Sequence, residues 1–401
     1  MNGAADRWRV ARIAFAVACA AWWLQKLGWL HPTGQWDFRV YYFGAQAWRS
    51  GLDPYDPRVL PADLLDTGFK FNYPPYTLPI FAAFTYVPIV RAMQLFLALK
   101  LAALGGVLAI WNRLLGTRLT EPAWVLFLVF AYSSAIFVDF VSGSVTTFEQ
   151  LLIWVGVAAL IESRDAVFAA AIVAASLLRL TPIALLVAGL AAAGRRGVRS
   201  VAVGFAAFAA IFAITSAVAP QLMAGFVRSL PTNWGERGWL NPAALPLAID
   251  VAATFGRALH VALPPAAPAA LYAAMVIAIG VQTVIALARF GRAGGGDRPK
   301  VVVYVAFLAI ALVLPRFKNY SYMLLIAPTY FVATRSTQLR RAVPLLVIAC
   351  LPIYSWITTP EHLALVADYS KWLIAFAAWA LFLYEMHLGT WSAPPVAERV
   401  S

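Results

Sequence analysis

Three carboxylates and three cations stand out in this sequence because of where they fall. Asp37 follows the first apolar run, inside Trp36-Asp37-Phe38-Arg39-Val40-Tyr41-Tyr42. Asp139 and Glu149 flank Ser142-Gly143-Ser144-Val145-Thr146-Thr147-Phe148, a polar break between two apolar runs. Arg179 opens Arg179-Leu180-Thr181-Pro182, and Arg316 and Lys318 lie in Leu314-Pro315-Arg316-Phe317-Lys318-Asn319-Tyr320-Ser321-Tyr322. An acid within a membrane run is costly, so each such acid is a site candidate by default; the bland alternative is a carboxylate paired with a nearby Arg. Carboxylate plus cations suits transfer of a group away from a phosphate: the acid takes the proton of the attacking hydroxyl and the cations hold the departing phosphate. His31, His260, His362 and His387 are isolated and match no metal-ligand spacing, and neither a nucleophile elbow nor a glycine-rich phosphate loop after a strand is present. No metal and no cofactor are therefore expected.

The elements that must position these groups are membrane helices. The 401 residues are 62% hydrophobic and only 12% charged, against roughly a quarter charged in a soluble domain, so a large soluble enzyme is excluded. Apolar runs of about 17 to 25 residues, long enough to cross a hydrocarbon core, recur from end to end. One integral membrane domain over 1–401 is expected. The net charge of +13 suggests nucleic acid only until its distribution is read. The basic residues form short clusters between apolar runs, namely Arg7, Arg9 and Arg12; Arg195, Arg196 and Arg199; Arg289, Arg292, Arg298 and Lys300; and Arg335, Arg340 and Arg341. That is the pattern of the positive-inside rule, and no nucleic-acid partner is expected. Cys19 and Cys350 both lie inside apolar runs and read as packing residues.

With the N-terminus in the cytoplasm, the first run (about 11–30) exits into a long outer loop, 31–74. A short apolar segment, Tyr76 to Val90, has the length of a half-span. Runs follow at about 92–112, 121–141, 145–161, 166–179, 182–194 and 199–219, then a second long outer stretch, 220–262. The last runs are 265–288, 301–315, 319–333, 343–359 and 371–388, giving about 11–13 transmembrane helices in an all-α polytopic protein. All four basic clusters then lie inside, and the acids, Arg179, Arg316 and Lys318 lie at the outer ends of helices.

In the first outer loop, apolar residues at Phe38, Tyr41, Tyr42, Ala45 and Trp48 recur at helical spacing, predicting an amphipathic juxtamembrane helix from Phe38 to Ser50 that Gly51 ends. Asp37 would be its N-cap, a role compatible with chemistry. Asp53 and Asp56, in Gly51-Leu52-Asp53-Pro54-Tyr55-Asp56-Pro57, read as turn residues. Arg39 is close enough in sequence to hold Asp37 ionised. Arg316 and Lys318 put positive charge outside, against the topology bias; they bind something anionic or anchor a lipid headgroup.

These residues resemble a known family. Asp37-Phe-Arg-Val-Tyr-Tyr, Gly51-Leu-Asp-Pro-Tyr-Asp56 and Tyr73-Pro-Pro75 look like the opening of glycosyltransferase family 87, which has the C-type fold of multispanning enzymes and includes polyprenyl-phosphate-mannose-dependent mannosyltransferases. Gly143-Ser-Val-Thr146 is similar to that family's Gly-Gln-Val-Asn, Arg179-Leu-Thr-Pro182 to its Lys-x-x-Pro, and Arg316-Phe-Lys-Asn-Tyr-Ser321 to its late basic motif. The resemblance implies a transferase that inverts at the sugar carbon, with Asp37 as general base. It implies a polyprenyl-phosphate sugar donor (mannose or another hexose or pentose) and a lipid-linked or envelope glycan acceptor. The site would face the outside of a bacterial inner membrane, among its lipids. Arg316, Lys318 and Arg179 would hold the donor phosphate, and Tyr41, Tyr42, Tyr73, Ser144, Thr146, Glu149, Asn319 and Tyr320 would line the substrates. Ser144 and Thr146 stand where the family has an amide pair, and Arg179 where it has Lys. A lipid or solute transporter or flippase is the alternative class, although the charges lie at the outer edge rather than the midplane and no internal repeat is visible.

Overall fold

The computed structural model describes residues 3–26, 34–66, 68–230, 235–290, 298–336, 338–351 and 361–389. His31, Trp29 and residues 291–297 lie outside the described residues, as do the side chains of Cys19, Trp22, Trp23 and His362. Among the described residues the elements are helical: α1 (Gly3–Lys26), α2 (Trp36–Arg49), α3 (Ala62–Asp66), α4 (Leu78–Ala82), α5 (Ile89–Leu115), α6 (Pro122–Ser142), α7 (Thr146–Ile161), α8 (Asp165–Leu178), α9 (Leu186–Ala193), α10 (Arg195–Val218), α11 (Pro220–Ser229), α12 (Ala244–Leu259), α13 (Ala267–Phe290), α14 (Arg298–Val313), α15 (Ile326–Arg335), α16 (Leu339–Cys350), α17 (Glu361–Asp368) and α18 (Ser370–Leu388).

The protein is an all-α polytopic membrane protein. Helices α5, α6, α10 and α13 are long and apolar enough to cross a bilayer. Only 11% of the apolar window of α10, and of α13, is buried by protein, so most of both must be covered by lipid. Among the described residues, α1 (24 residues) and α18 (19 residues) are long but not apolar enough by the same standard, and the other helices are shorter. The segment after Tyr76 is divided between α4 and the 3-10 turn Ala83–Tyr86, too short to span, which fits the half-span expected there. The run 121–141 is not one straight helix: Tyr132, Ser133 and Ser134 have φ of 52°, 52° and 58°, breaking α6 in the left-handed region.

Contacts divide the chain into two compact units. The first comprises 1–125, 136–186 and 198–235. Small residues let its helices approach: a Cβ on Gly156 of α7 would meet Ala171 of α8 at 3.2 Å, and one on Gly106 of α5 would meet Leu151 at 2.9 Å. The amphipathic helix of the first loop exists as α2, with the predicted stripe of Phe38, Tyr41, Tyr42 and Ala45 buried and Gly51 (φ 74°) following it. Its apolar face packs on protein: Phe38 stacks on Phe96 with ring centres 4.3 Å apart, and Tyr41 stacks on Phe81 at 4.4 Å.

The second unit comprises 126–135, 187–197 and 236–401. Helix α14 is its buried centre, with Val301 to Ala309 inside and neighbours from α13, α15 and α18. A helix that is apolar all round belongs in such a place.

Candidate active site

The first unit gathers most of the predicted site residues around the turn between α6 and α7. Gly143 ends α6 with φ +68°, and a Cβ there would meet Gln35 Cα at 2.8 Å and Phe38 Cβ at 3.0 Å. Only glycine satisfies both the left-handed backbone and the close approach. The same junction is held by the Gln35 N–H donating to the Val141 carbonyl at 2.8 Å. The polar break that interrupts two apolar runs in the sequence is thus seated on the first turn of α2, which carries Asp37.

Two expectations about that turn are corrected. The residue preceding the helix is Gln35, in the left-handed region (φ 55°), so Asp37 is not the N-cap but a first-turn residue. There it still faces the positive end of the helix dipole. Arg39 does not serve Asp37: it pairs with Asp63 at 2.7 Å. Residues two apart on a helix point to different sides, which is why proximity in sequence misled.

Arg179 is positioned by a chain break. Helix α8 stops at Leu178, and Arg179 is extended (φ −157°) ahead of the turn beginning Thr181-Pro182. Its guanidinium donates to the Ser144 hydroxyl at 2.9 Å and to the Thr146 hydroxyl at 3.1 Å, and lies 3.7 Å from Glu149 Oε2. Ser144 and Thr146 are fully buried and bonded to each other at 3.0 Å, so in this state they brace the guanidinium. Nearby, the Tyr73 hydroxyl meets the Tyr41 hydroxyl at 2.6 Å. Burial raises the Tyr73 phenol above its ordinary value, with the Arg179 charge opposing that rise and the Asp37 charge adding to it. Tyr42 turns elsewhere and donates to the Val87 carbonyl at 2.9 Å.

The sequence reading missed a cation here. Lys100, from the middle of α5, is fully buried and pairs with Asp139 Oδ2 at 2.8 Å. Its ammonium also donates to the carbonyls of Asp139 (2.7 Å) and Ser144 (2.8 Å). The signal was visible: one Lys inside a long apolar run obeys the same rule that singled out Asp139 and Glu149. Among the described residues, Asp139 Oδ1 and Glu149 Oε2 are buried and find no hydrogen-bond partner.

The second unit holds the late basic motif. Arg316 and Lys318 both reach Glu236, at 2.7 and 2.8 Å, and Lys318 approaches the Tyr320 ring at 6.0 Å. Burial alone would raise the Glu236 carboxyl, but the Lys318 and Arg316 charges and hydrogen bonds outweigh it and hold the group below the ordinary value. The segment carrying Glu236 is fastened by Asn241, whose amide donates to the Glu236 carbonyl and accepts from the Phe317 N–H. Asn319 is buried, its carbonyl accepting from Lys371 at 3.1 Å. Glu236 carries no mark in the sequence, because an acid in a long stretch between apolar runs has no burial cost that would single it out.

A model of glycosyltransferase family 87 matches residues 71–315, well over half of the chain. The chain belongs to glycosyltransferase family 87. It is therefore a glycosyltransferase, and its family match spans Tyr73, Lys100, the α6–α7 turn, Arg179 and Glu236. Asp37 lies before that range, and Arg316 and Lys318 after it. Neither curated proteins nor solved structures give a match.

Proposed function

We propose that this glycosyltransferase moves a sugar, mannose or another hexose or pentose, from a polyprenyl-phosphate-linked donor to a lipid-linked or envelope glycan, on the outer face of the bacterial inner membrane. The observation that carries the reading is the α6–α7 turn, which packs against the first turn of α2, where Asp37 lies, and presents Ser144 and Thr146 to the Arg179 guanidinium. An anionic base and a cationic donor of hydrogen bonds are what an acceptor hydroxyl and a phosphate leaving group each require.

In this mechanism the acceptor oxygen attacks the anomeric carbon as its proton passes to the Asp37 carboxylate. The bond from that carbon to the phosphate oxygen breaks, the electron pair leaves with the phosphate, and the sugar carbon inverts. Arg179, braced by Ser144 and Thr146, holds the phosphate charge. Glu149 Oε2, buried and without a hydrogen-bond partner among the described residues, is an acceptor for a sugar hydroxyl. Tyr41 and Tyr73 line this site. In the second unit we assign Arg316 and Lys318 to an anionic partner as well, taken in exchange for Glu236.

The test uses membranes of a strain lacking the gene, complemented with wild type or Asp37→Asn and supplied with radiolabelled polyprenyl-phosphate mannose. Loss of label transfer in the variant supports the reading. Normal transfer by Asp37→Asn removes Asp37 as the base.

A further inference from the structure

The sharpest unexplained feature is a complete salt bridge buried where an apolar pair would pack at lower cost. Removing two charges from water is costly, and isosteric apolar replacements of such pairs are often neutral or stabilising. Stability alone is a weak reason for Lys100 and Asp139.

Their bonds show what else the pair does. An ammonium has three N–H donors, and the three acceptors around Lys100 are the Asp139 carboxylate, the Asp139 carbonyl and the Ser144 carbonyl. The two carbonyls bracket the turn that ends α6. Asp139 adds further ties: its Oδ2 accepts from Thr147 at 2.5 Å, and its carbonyl accepts from the Ser142 hydroxyl at 3.0 Å and the Ser144 N–H at 3.3 Å. One buried cation therefore fixes the path of residues 139–147. That path touches α2 on one side, through Val141 with Gln35 and Gly143 with Gln35 and Phe38. On the other side it presents Ser144 and Thr146 to Arg179.

We propose that Lys100 is a positioning residue for transfer: through the α6–α7 turn it sets both the first turn of α2, with Asp37, and the Arg179 guanidinium. The inference rests on the proposed roles of Asp37 and Arg179. Lys100 directs its ammonium to Asp139 and Ser144; its charge pins the turn's carbonyls, which no apolar side chain can do.

The experiment replaces the pair by apolar residues of similar size, Lys100→Met with Asp139→Leu, and measures melting in detergent beside initial rates with polyprenyl-phosphate mannose. The double variant is expected to melt near wild type while kcat falls roughly ten- to a hundredfold and donor KM rises. A double variant with wild-type kcat and KM overturns the proposal and leaves the pair a packing feature. Should the double variant not fold, Thr147→Val decides: it removes one hydroxyl from the Asp139 network without changing volume. A rise in donor KM with unchanged melting supports positioning; unchanged KM overturns it. Asp37→Asn and Arg179→Lys run in the same assay. If both are fully active, the proposed site is wrong; if both are impaired while the apolar pair is normal, only the role of Lys100 is.

Discussion

The ion pairs of the two units are built on the same principle and differ in depth. In the first unit, Lys100 and Asp139 are sealed, with side chains 1% and 0% exposed. In the second, Glu236, Arg316 and Lys318 keep side-chain exposures of 29%, 35% and 23%. A sealed pair has no water to fall back on, so its members stay together and specify the path of the chain. A half-exposed trio can trade one anion for another at small cost, because solvent stabilises the carboxylate that is displaced. The buried pair is thus suited to hold a site in shape, and the exposed trio to exchange.

The largest effect that tests this contrast is expected at Asp37, in the first turn of α2 against which the sealed turn packs. Asp37→Asn should reduce transfer by about 10²- to 10⁴-fold, measured as initial rate, with melting nearly unchanged. A large fall in melting instead would make Asp37 a structural residue of α2.

Breaking the sealed pair on one side comes next. Lys100→Met alone leaves a buried carboxylate uncompensated and should destabilise by roughly 3–5 kcal/mol, read from unfolding in detergent. Arg316→Ala should change stability by only about 0–1 kcal/mol, in keeping with an exposed pair. Equal losses in the two variants would erase the contrast.

The exposed trio should show its character in donor use. Arg316→Ala or Lys318→Ala is expected to weaken donor use by about ten- to a hundredfold, each charge-assisted bond being worth roughly 1.5–3 kcal/mol. Glu236→Gln should act in the opposite direction, lowering donor KM a few-fold by freeing both cations. An unchanged KM in all three would return the motif to a lipid-anchoring role.

The smallest effect is a pH dependence. The Glu236 carboxyl is held below its ordinary value of 4.5, so its pairing contributes stability above that pH, and this is lost as pH falls through the lowered folded value. The melting difference between wild type and Glu236→Gln should therefore be constant near neutrality and vanish in acid, amounting to about 1 kcal/mol or less. A difference that grows on acidification would mean that the cations do not stabilise the ionised form.

Much of this protein is determined by the sequence alone. Apolar runs near bilayer thickness set where α5, α10 and α13 lie, because a backbone in lipid must satisfy its own hydrogen bonds. Gly51, Gly143 and Thr181-Pro182 marked helix ends because glycine tolerates positive φ and proline restricts what precedes it. Asp53 and Asp56 were legible as turn residues, since their carboxylates cap the N–H groups of Tyr55 and Arg58 two residues on. The opening motif, the polar break and the basic motif were sufficient to suggest the family.

Only the tertiary structure decided which charges meet. Asp139 was open to pairing with an Arg, and its partner is Lys100, 39 residues away on another helix. Arg39 neighbours Asp37 in sequence and bonds Asp63. Glu236 finds Arg316 and Lys318 about 80 residues later. Hydropathy is a local sum over neighbours in the chain, whereas an ion pair depends on distance and dielectric, and both of these exist only after the helices have packed.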